Sequence, residues 1–376
     1  MTIPVDILKH RHAKLAAALQ SAGLEAIALN PGPSLHYLTG IEFHLSERPV
    51  VCLFRAEGAP VLVLPELESA KSRNLPYELQ AFTYPENPRE WLNAYEKAVQ
   101  AAGLRASAGK VGVEDRVLRL LEYRLLKQAA PEADWVNAEN AVASLRMYKD
   151  AAEQAAMQKA VDVAQKALEA TLPLVKIGMT ENEVSAELMM QTLRHGSGKP
   201  PFEPIVAAGP ENTANPHYFP QGRKLAAGEL LLVDWGASHD GYYSDLTRTF
   251  AIGEVSAELQ KIHQAVQDAN AAAHAIAAPG VTCGAVDKVA RDVIEAAGYG
   301  KYFTHRLGHG LGMEGHEEPY MRGDNTLPLE EGMTFTIEPG IYISGTGGVR
   351  IEDDVVVTAG GLRSFSDMPR EMRVVG

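Results

Sequence analysis

Three histidines lie in a glycine-rich stretch of the sequence, FTHRLGHGLGMEGHEEPY at 303–320. They are His305, His309 and His316, and the glycines between them would let the backbone crowd a metal or a substrate. A single histidine in such a segment is more often a hydrogen-bonded structural residue than a ligand. The segment also lacks the lysine and the strand-turn-helix setting of a phosphate-binding loop. The imidazoles are therefore predicted to line a site rather than to fill a core.

Four acidic residues extend this pattern, because each interrupts a strand-like run that is otherwise apolar. An ionised carboxylate in an apolar setting is costly unless it is paired, hydrogen-bonded or bound to a metal. Any one of the four could lie on a solvated strand face, since Asp and Glu are mostly exposed. Four together, beside the histidines and with no lysine in the same runs, favour a shared site. They are Asp234, Asp245, Glu338 and Glu352.

Divalent metal ions would resolve the repulsion among these carboxylates. Four carboxylates within about 4–6 Å raise one another's pKa values, and two divalent cations neutralise them. Oxygen ligands with one imidazole suit Mn²⁺ and also accept Co²⁺ or Zn²⁺, and the chain has only two cysteines, Cys52 and Cys283. Two metals about 3.5–4 Å apart activate a water and polarise a carbonyl group. The predicted chemistry is metal-assisted hydrolysis.

The composition excludes several other classes of protein. The chain has 376 residues, 46% of them hydrophobic and 22% charged, which is typical of a globular protein with room for two domains. A net charge of −13 argues against a nucleic-acid partner. No run of about 18 apolar residues and no signal peptide occurs, so we expect a cytoplasmic protein with no membrane partner.

The elements that must position these residues fall into two parts. Short helix and strand signals alternate between residues 7 and 137, which predicts an α/β domain. The boundary is predicted near 138–148. Beyond it, capping boxes at Asp150 with Glu153 and at Thr180 with Glu183 predict two helices, and a third is predicted at 256–277. Strand-like runs accompany them, which predicts an α+β class; these runs are 228–237, 241–252, 332–343 and 347–358.

Five motifs, in this order and at these spacings, resemble the pita-bread metallopeptidases: VDWGA, SDLTRTF, HRLGHGLGMEGHE, TIEPG and GVRIEDD. The resemblance is to the proline-directed branch, which contains Xaa-Pro dipeptidases (prolidases) and aminopeptidase P. It extends to PGPSLHYLTG at 31–40, which is similar to the N-terminal domain of creatinases. It implies a creatinase-like α/β domain at 1–140 and a pita-bread catalytic domain at 141–376. The implied reaction is hydrolysis of the peptide bond before proline.

The resemblance also implies individual roles for the site residues. Asp234 would chelate one metal, Asp245 and Glu352 would bridge two, and His309 and Glu338 would complete the coordination. His316 would stabilise the oxyanion, and Glu338 would carry a proton to the leaving nitrogen. His217 and His305 would shape the proline pocket, although His305 could instead orient the loop. Arg350 matches the arginine beside the last metal ligand.

Dipeptide and longer substrates remain open at this point. Many prolidases bind the carboxylate after proline with an arginine in a pattern like HExPR, whereas this chain reads HEEPYMR. Tyr320 occupies the usual position and Arg322 follows two residues later, a shift that preserves the face of an extended segment. Action through Arg322 favours an Xaa-Pro dipeptidase, and an open site would favour aminopeptidase P.

Other members of the same fold fit the sequence less well. A creatinase lacks the complete acidic set, a methionine aminopeptidase lacks such an N-terminal domain, and non-catalytic binding modules lose the ligands. The resemblance further implies a homodimer, in which the segment 40–49 with His44 could approach the partner's site. An ordinary surface loop explains that segment equally well.

Overall fold

The computed structural model describes residues 3–376, which form two compact units divided between Arg146 and Met147. The first unit has helices α1 (Val5–Ala22), α2 (Pro33–Thr39), α3 (Trp91–Ala101), α4 (Leu120–Ala129) and α5 (Glu139–Arg146), with 3₁₀ turns at Glu66–Ser72 and Pro88–Glu90. Its strands are β1 (Ala26–Leu29), β2 (Val51–Arg55), β3 (Val61–Pro65), β4 (Gln80–Tyr84), β5 (Lys110–Val113) and β6 (Asp134–Asn137).

These strands form one mixed sheet in the order β4-β3-β2-β1-β5-β6. Strands β1 and β3 are buried along their whole length, as their continuous apolar sequences predict. Helices α3 and α4 cover a core that includes Tyr95 and Leu126. The α/β expectation is confirmed. Strands β4 and β6 were missed, because their half-exposed sequences QAFTY and DWVN carry little apolar signal.

The second unit carries the acidic residues and the histidines. Its helices are α6 (Ala151–Thr171), α7 (Glu181–Arg194), α8 (Gly209–Asn212), α9 (Ala257–Ile276) and α10 (Cys283–Ala296), with 3₁₀ turns at Leu172–Leu174 and Gly300–Tyr302. Its strands are β7 (Ile205–Ala208), β8 (Glu229–Trp235), β9 (Ser238–His239), β10 (Tyr242–Tyr243), β11 (Leu246–Ile252), β12 (Gly308–Gly310), β13 (Glu317–Met321), β14 (Thr334–Ile337), β15 (Gly340–Ile343), β16 (Gly347–Arg350), β17 (Asp353–Thr358), β18 (Gly361–Ser364) and β19 (Val374–Val375).

Both predicted capping boxes are present in full. The Asp150 carboxylate accepts the N–H groups of Ala152 and Glu153, and the Glu153 carboxylate accepts the N–H of Asp150. Thr180 and Glu183 make the same reciprocal pair at the start of α7. Helix α10 was missed, although its buried side chains recur at helical spacing: Val286, Ala290 and Ile294.

Three of the predicted strands are interrupted, and the interruptions lie at acidic residues. An isolated bridge between Thr247 and Glu352 joins the four-stranded sheet β19-β11-β8-β7 to the five-stranded sheet β13-β12-β14-β17-β18. The run 332–343 breaks at Glu338 and Pro339, because proline offers no N–H to a ladder. The run 347–358 breaks directly opposite, since Ile337 pairs with Asp353 before the break and β15 pairs with β16 beyond it.

The glycines around His309 serve strand packing, which corrects the expectation that they admit a metal or a substrate. A Cβ on Gly308 would fall on the Thr336 carbonyl oxygen of β14, and one on Gly310 would fall on the Glu318 carbonyl oxygen. The backbone of β12 therefore packs closely against β13 and β14, and this packing fixes the position of His309.

The described helices offer no stretch with the length and apolar character needed to cross a membrane. The two cysteines, Cys52 and Cys283, are buried and unpaired.

Gly308→Ala should lower the free energy of unfolding by about 1–3 kcal/mol, because the added methyl group overpacks the contact with β14. Gly315→Ala is the matched control, since a Cβ there meets no atom within 4 Å. Urea unfolding followed by circular dichroism measures both. Equal stabilities would mean that β12 moves aside at no cost.

Candidate metal centre

Three side chains, one within a strand and two directly before strands, meet in the interior of the second unit. Asp245 lies just before β11, His309 lies in the middle of β12 and Glu352 lies just before β17. One ligand atom from each lies within 4.8 Å of the others, and all three residues are buried. Two carboxylates and one imidazole at this separation can hold a metal ion.

Glu338 and Asp234 border this cluster. The His309 Nε2 atom lies 3.2 Å from Glu338 Oε1 and 3.7 Å from Asp245 Oδ2. The His309 Nδ1 atom lies 3.1 Å from the Gly310 carbonyl oxygen. In the metal-free site the Nε2–H of His309 can donate to Glu338, whereas a proton on Nδ1, donated to the Gly310 carbonyl, would leave the Nε2 lone pair free for a metal ion. Asp234, in β8, is near enough to raise the pKa values of Asp245 and Glu352.

The electrostatics of the cluster are strained. Burial, followed by the charges of Glu352 and Asp234, raises the pKa of Asp245 well above its usual range. Burial, followed by the charges of Glu338 and Asp234, does the same to the pKa of Glu352. Burial alone would also raise the pKa of Glu338, but its hydrogen bond with His309 lowers it to about 2. Divalent cations would neutralise the crowded charges, so the donor set fits a metal centre.

Neighbouring polar groups bind the backbone of Asp245 and the carboxylate of Glu352. Asp354 accepts the backbone N–H of Asp245 through Oδ2, at 2.9 Å. The Thr247 hydroxyl donates to Glu352 Oε2 at 2.6 Å, and it accepts from Arg350 Nε at 3.1 Å. Asp245 and Glu352 are therefore oriented by groups that belong to the two sheets themselves.

Arg350 begins a buried chain of hydrogen bonds that ends at His305. Its Nη2 atom donates to Asp234 Oδ2 at 2.6 Å, and its Nη1 atom donates to the Tyr342 hydroxyl at 2.9 Å. The Tyr342 hydroxyl lies 2.9 Å from His305 Nε2, and His305 Nδ1 lies 2.7 Å from the Arg306 carbonyl oxygen. Asp234 therefore has a cationic partner. Both ring nitrogens of His305 are engaged.

His316 and His217 differ in their surroundings. The His316 ring centroid lies 4.0 Å from that of His309. His316 is exposed at its residue surface, but desolvation by the atoms around its ring, followed by the charges of His309 and Arg306, lowers its pKa to about 4, so its imidazole is neutral at pH 7. His217 is also exposed, but it lies in the turn after Asn215, and its charge contributes a smaller part of that shift.

Tyr320 and Arg322 have separate environments. Tyr320 is half-buried and lies opposite His309 in the β12-β13 pair. Arg322 follows the end of β13, so the argument from strand alternation does not extend to it. Its side chain is 59% exposed and pairs with Asp324 at 2.8 Å.

Arg306 is a candidate that sequence reasoning missed. Its guanidinium carbon lies 4.6 Å from the Tyr320 ring centroid, and its charge reaches His316. Its Nε atom is buried without a hydrogen-bond partner, and it forms no ion pair with any residue from 3 to 376. The only signal in the sequence was its place in HRLGH, beside His305.

Comparison with known proteins identifies the fold. The model for Metallopeptidase family M24 matches residues 155–359, and that for the Creatinase/Prolidase N-terminal domain matches residues 11–148. The Xaa-Pro dipeptidase of Lactobacillus helveticus is 34% identical over 365 residues, which are 96% of this chain and 98% of that protein.

Two solved structures are similar over almost their whole length. A dipeptidase from Pyrococcus horikoshii OT3 is 37% identical with a TM-score of 0.91, covering 97% of this chain and 100% of that one. A prolidase from Thermococcus sibiricus is 32% identical with a TM-score of 0.90, covering 98% of this chain and 99% of that one.

A buried cluster of acids and imidazole on such a fold defines a metal-dependent hydrolase. The chain belongs to metallopeptidase family M24, and a creatinase-type N-terminal domain precedes its pita-bread catalytic domain in the sequence. The predicted family and fold are confirmed. The family implies divalent metal ions, and the cluster of Asp245, His309 and Glu352 fits them.

Arg350→Met should destabilise the metal-free protein by about 3–5 kcal/mol, because Asp234 would remain buried without its partner. Arg322→Met removes an arginine whose ion pair is exposed, so its effect should stay within about 0.5 kcal/mol. Urea unfolding of both variants, each treated with a chelator, gives the comparison. A loss of under 1 kcal/mol in Arg350→Met would contradict the importance of the pair.

Proposed function

We propose that this protein is an Xaa-Pro dipeptidase, which hydrolyses the peptide bond before proline in a small peptide with proline at its second position. The observation that carries the proposal is the buried cluster of Asp245, His309 and Glu352, on a chain similar over its full length to Xaa-Pro dipeptidases. Aminopeptidase P, which acts on longer peptides, is the alternative that the experiments below separate. A non-catalytic binding module is the remote one.

Five residues would hold two divalent ions, Asp234, Asp245, His309, Glu338 and Glu352. We propose Mn²⁺, with Co²⁺ or Zn²⁺ as substitutes, because four carboxylates and one imidazole form a largely oxygen ligand set. When bound, the ions supply a Lewis acid for the scissile carbonyl and lower the pKa of water.

The remaining steps are assigned to the protein's own groups. His316 is neutral, so its ring N–H can donate a hydrogen bond to the carbonyl oxygen as negative charge develops there. Glu338 would carry a proton toward the leaving imino nitrogen. His217 would border the substrate from its exposed turn. Because both nitrogens of His305 are engaged, we assign it to positioning Tyr342 and the loop rather than to contact with proline.

Arg306 is the better candidate for the substrate carboxylate. A partly buried guanidinium group without an anionic partner lies beside His316 and over Tyr320, where one face of the cation remains available. Arg322 already pairs with Asp324 in an exposed position. A carboxylate that follows proline would complete a charge-assisted pair with Arg306.

Three further properties are proposed: a homodimer, from the resemblance; a cytoplasmic location, from the sequence composition; and a division of roles between a domain at 1–140 and a catalytic domain at 141–376, from both. The segment around His44 contains no helix or strand, and His44 is exposed. Its approach to a partner subunit stays a prediction.

Turnover of an Xaa-Pro dipeptide should vanish after chelation and return with added Mn²⁺ or Co²⁺. Asp245→Asn should abolish turnover while the protein stays folded, because it keeps the shape of the side chain and removes its charge. Activity assays with single-metal add-back, and circular dichroism of the variant, provide the test. Full activity in metal-free protein would refute the metal mechanism and favour a creatinase-like reaction.

Arg306→Ala should lower kcat/KM for Xaa-Pro by about 10- to 150-fold, the loss of a charge-assisted hydrogen bond of about 1.5–3 kcal/mol. It should change kcat/KM for Xaa-Pro-Yaa much less. Arg322→Ala is the matched control and should stay within about twofold for both peptides. An effect of Arg322→Ala alone would return the assignment to Arg322. A wild-type enzyme that prefers the tripeptide would indicate aminopeptidase P.

A further inference from the structure

A polar residue lies in the apolar face of helix α9. Asn270 is 0% exposed, and the residues around it on that face include Val266, Ala269 and Ala273. Burying an amide is costly unless it is hydrogen-bonded, so a buried asparagine in such a face calls for a specific set of partners.

The partners of Asn270 are two main-chain carbonyl groups and a carboxylate. Its Nδ2 atom lies 3.1 Å from the Ile337 oxygen, 3.3 Å from the Ile351 oxygen and 3.5 Å from Asp353 Oδ2. All three partners accept hydrogen bonds and cannot donate them. This fixes the orientation of the amide, with the nitrogen toward the strands.

The two carbonyl groups belong to the residues that directly precede Glu338 and Glu352. They mark the two opposed breaks, where β14 ends and β17 begins. Without a continuous ladder across the breaks, few main-chain contacts fix the spacing of these two points; the Ile351 N–H lies 3.5 Å from the Pro339 oxygen. One amide reaches both points from the side of α9.

The strand that carries Glu352 is anchored independently. Arg248 donates to the Glu352 main-chain oxygen at 2.7 Å and to Asp353 Oδ1 at 2.7 Å, and Arg370 donates to Asp353 Oδ2 at 2.7 Å. Glu338 has only its N–H bound to the Leu307 oxygen, apart from contacts of its side chain. Asn270 thus connects the break at Glu338, which has few other contacts, to the break at Glu352, which Arg248 anchors.

We propose that Asn270 is a positioning residue that sets the separation of the Glu338 and Glu352 carboxylates, and through it the metal affinity of the site. The inference rests on the proposed metal centre. Asn270 touches neither a ligand side chain nor the substrate, and it acts through the backbone of Ile337 and Ile351.

The test is a Co²⁺ titration of chelator-treated protein, followed by visible absorption, with circular dichroism as the check of folding. Asn270→Leu keeps a similar volume and removes the donor. We expect Co²⁺ affinity to fall at least tenfold and the absorption bands to change, while the protein stays folded. Val266→Ala is the control, because it opens a cavity on the same helix face without touching either carbonyl. It should lower stability and leave Co²⁺ affinity within about twofold.

Each outcome decides the question. Wild-type Co²⁺ affinity and spectrum in Asn270→Leu would overturn the inference. If that variant does not fold, Asn270→Ala is judged by the same criteria, and failure of both to fold would assign Asn270 to folding alone. A wild-type protein that binds no Co²⁺ would instead refute the proposed metal centre, which is a separate failure.

Discussion

The second unit is organised around carboxylates that are buried close together. Asp245 and Glu352 lie within 4.8 Å of His309 and of each other, and burial with mutual repulsion raises both pKa values. Apolar packing alone would not stabilise a fold with this cluster, because burying one charge costs more free energy than burying one apolar side chain contributes. The strands, the breaks and the buried arginines are arranged so that this charge is tolerated and kept in one place.

The buried negative charges are not all balanced to the same extent by positive groups. Asp234 is paired with Arg350, whereas Asp245 donates its main-chain N–H to Oδ2 of Asp354, which is a further acidic group. Arg350 therefore balances the charge of Asp234 at the border of the cluster, whereas Asp245 and Glu352 at its centre have no arginine or lysine of their own among the described residues. A divalent ion bound at the centre would supply the positive charge that the buried carboxylates need.

The sequence was informative wherever a local pattern determines a local structure. Reciprocal caps need only residues three apart, so the start of α6 at Asp150 could be predicted, and the strand-like runs were found because apolar length is a local property. The acidic interruptions pointed to Asp245 and Glu352, which the structure brings together, for the same reason. The break at Glu338, the pairing of Arg350 with Asp234 and the position of Arg306 over Tyr320 depend on contacts between distant segments. No spacing rule in a single sequence encodes those contacts.

A neutral amide suits the position behind the two breaks better than a charged side chain would. A lysine at 270 could donate to the same carbonyl oxygens, which belong to the residues directly before Glu338 and Glu352. Its charge would then lie near both carboxylates and would compete with a metal cation for them. An aspartate would repel both carbonyls and the nearby Asp353. Asparagine supplies two donors and no net charge, so it can hold the backbone without altering the balance at the centre. Different residues thus act on the two properties of the carboxylates. Asn270 and Arg248 set their positions, and Arg350 balances their charge.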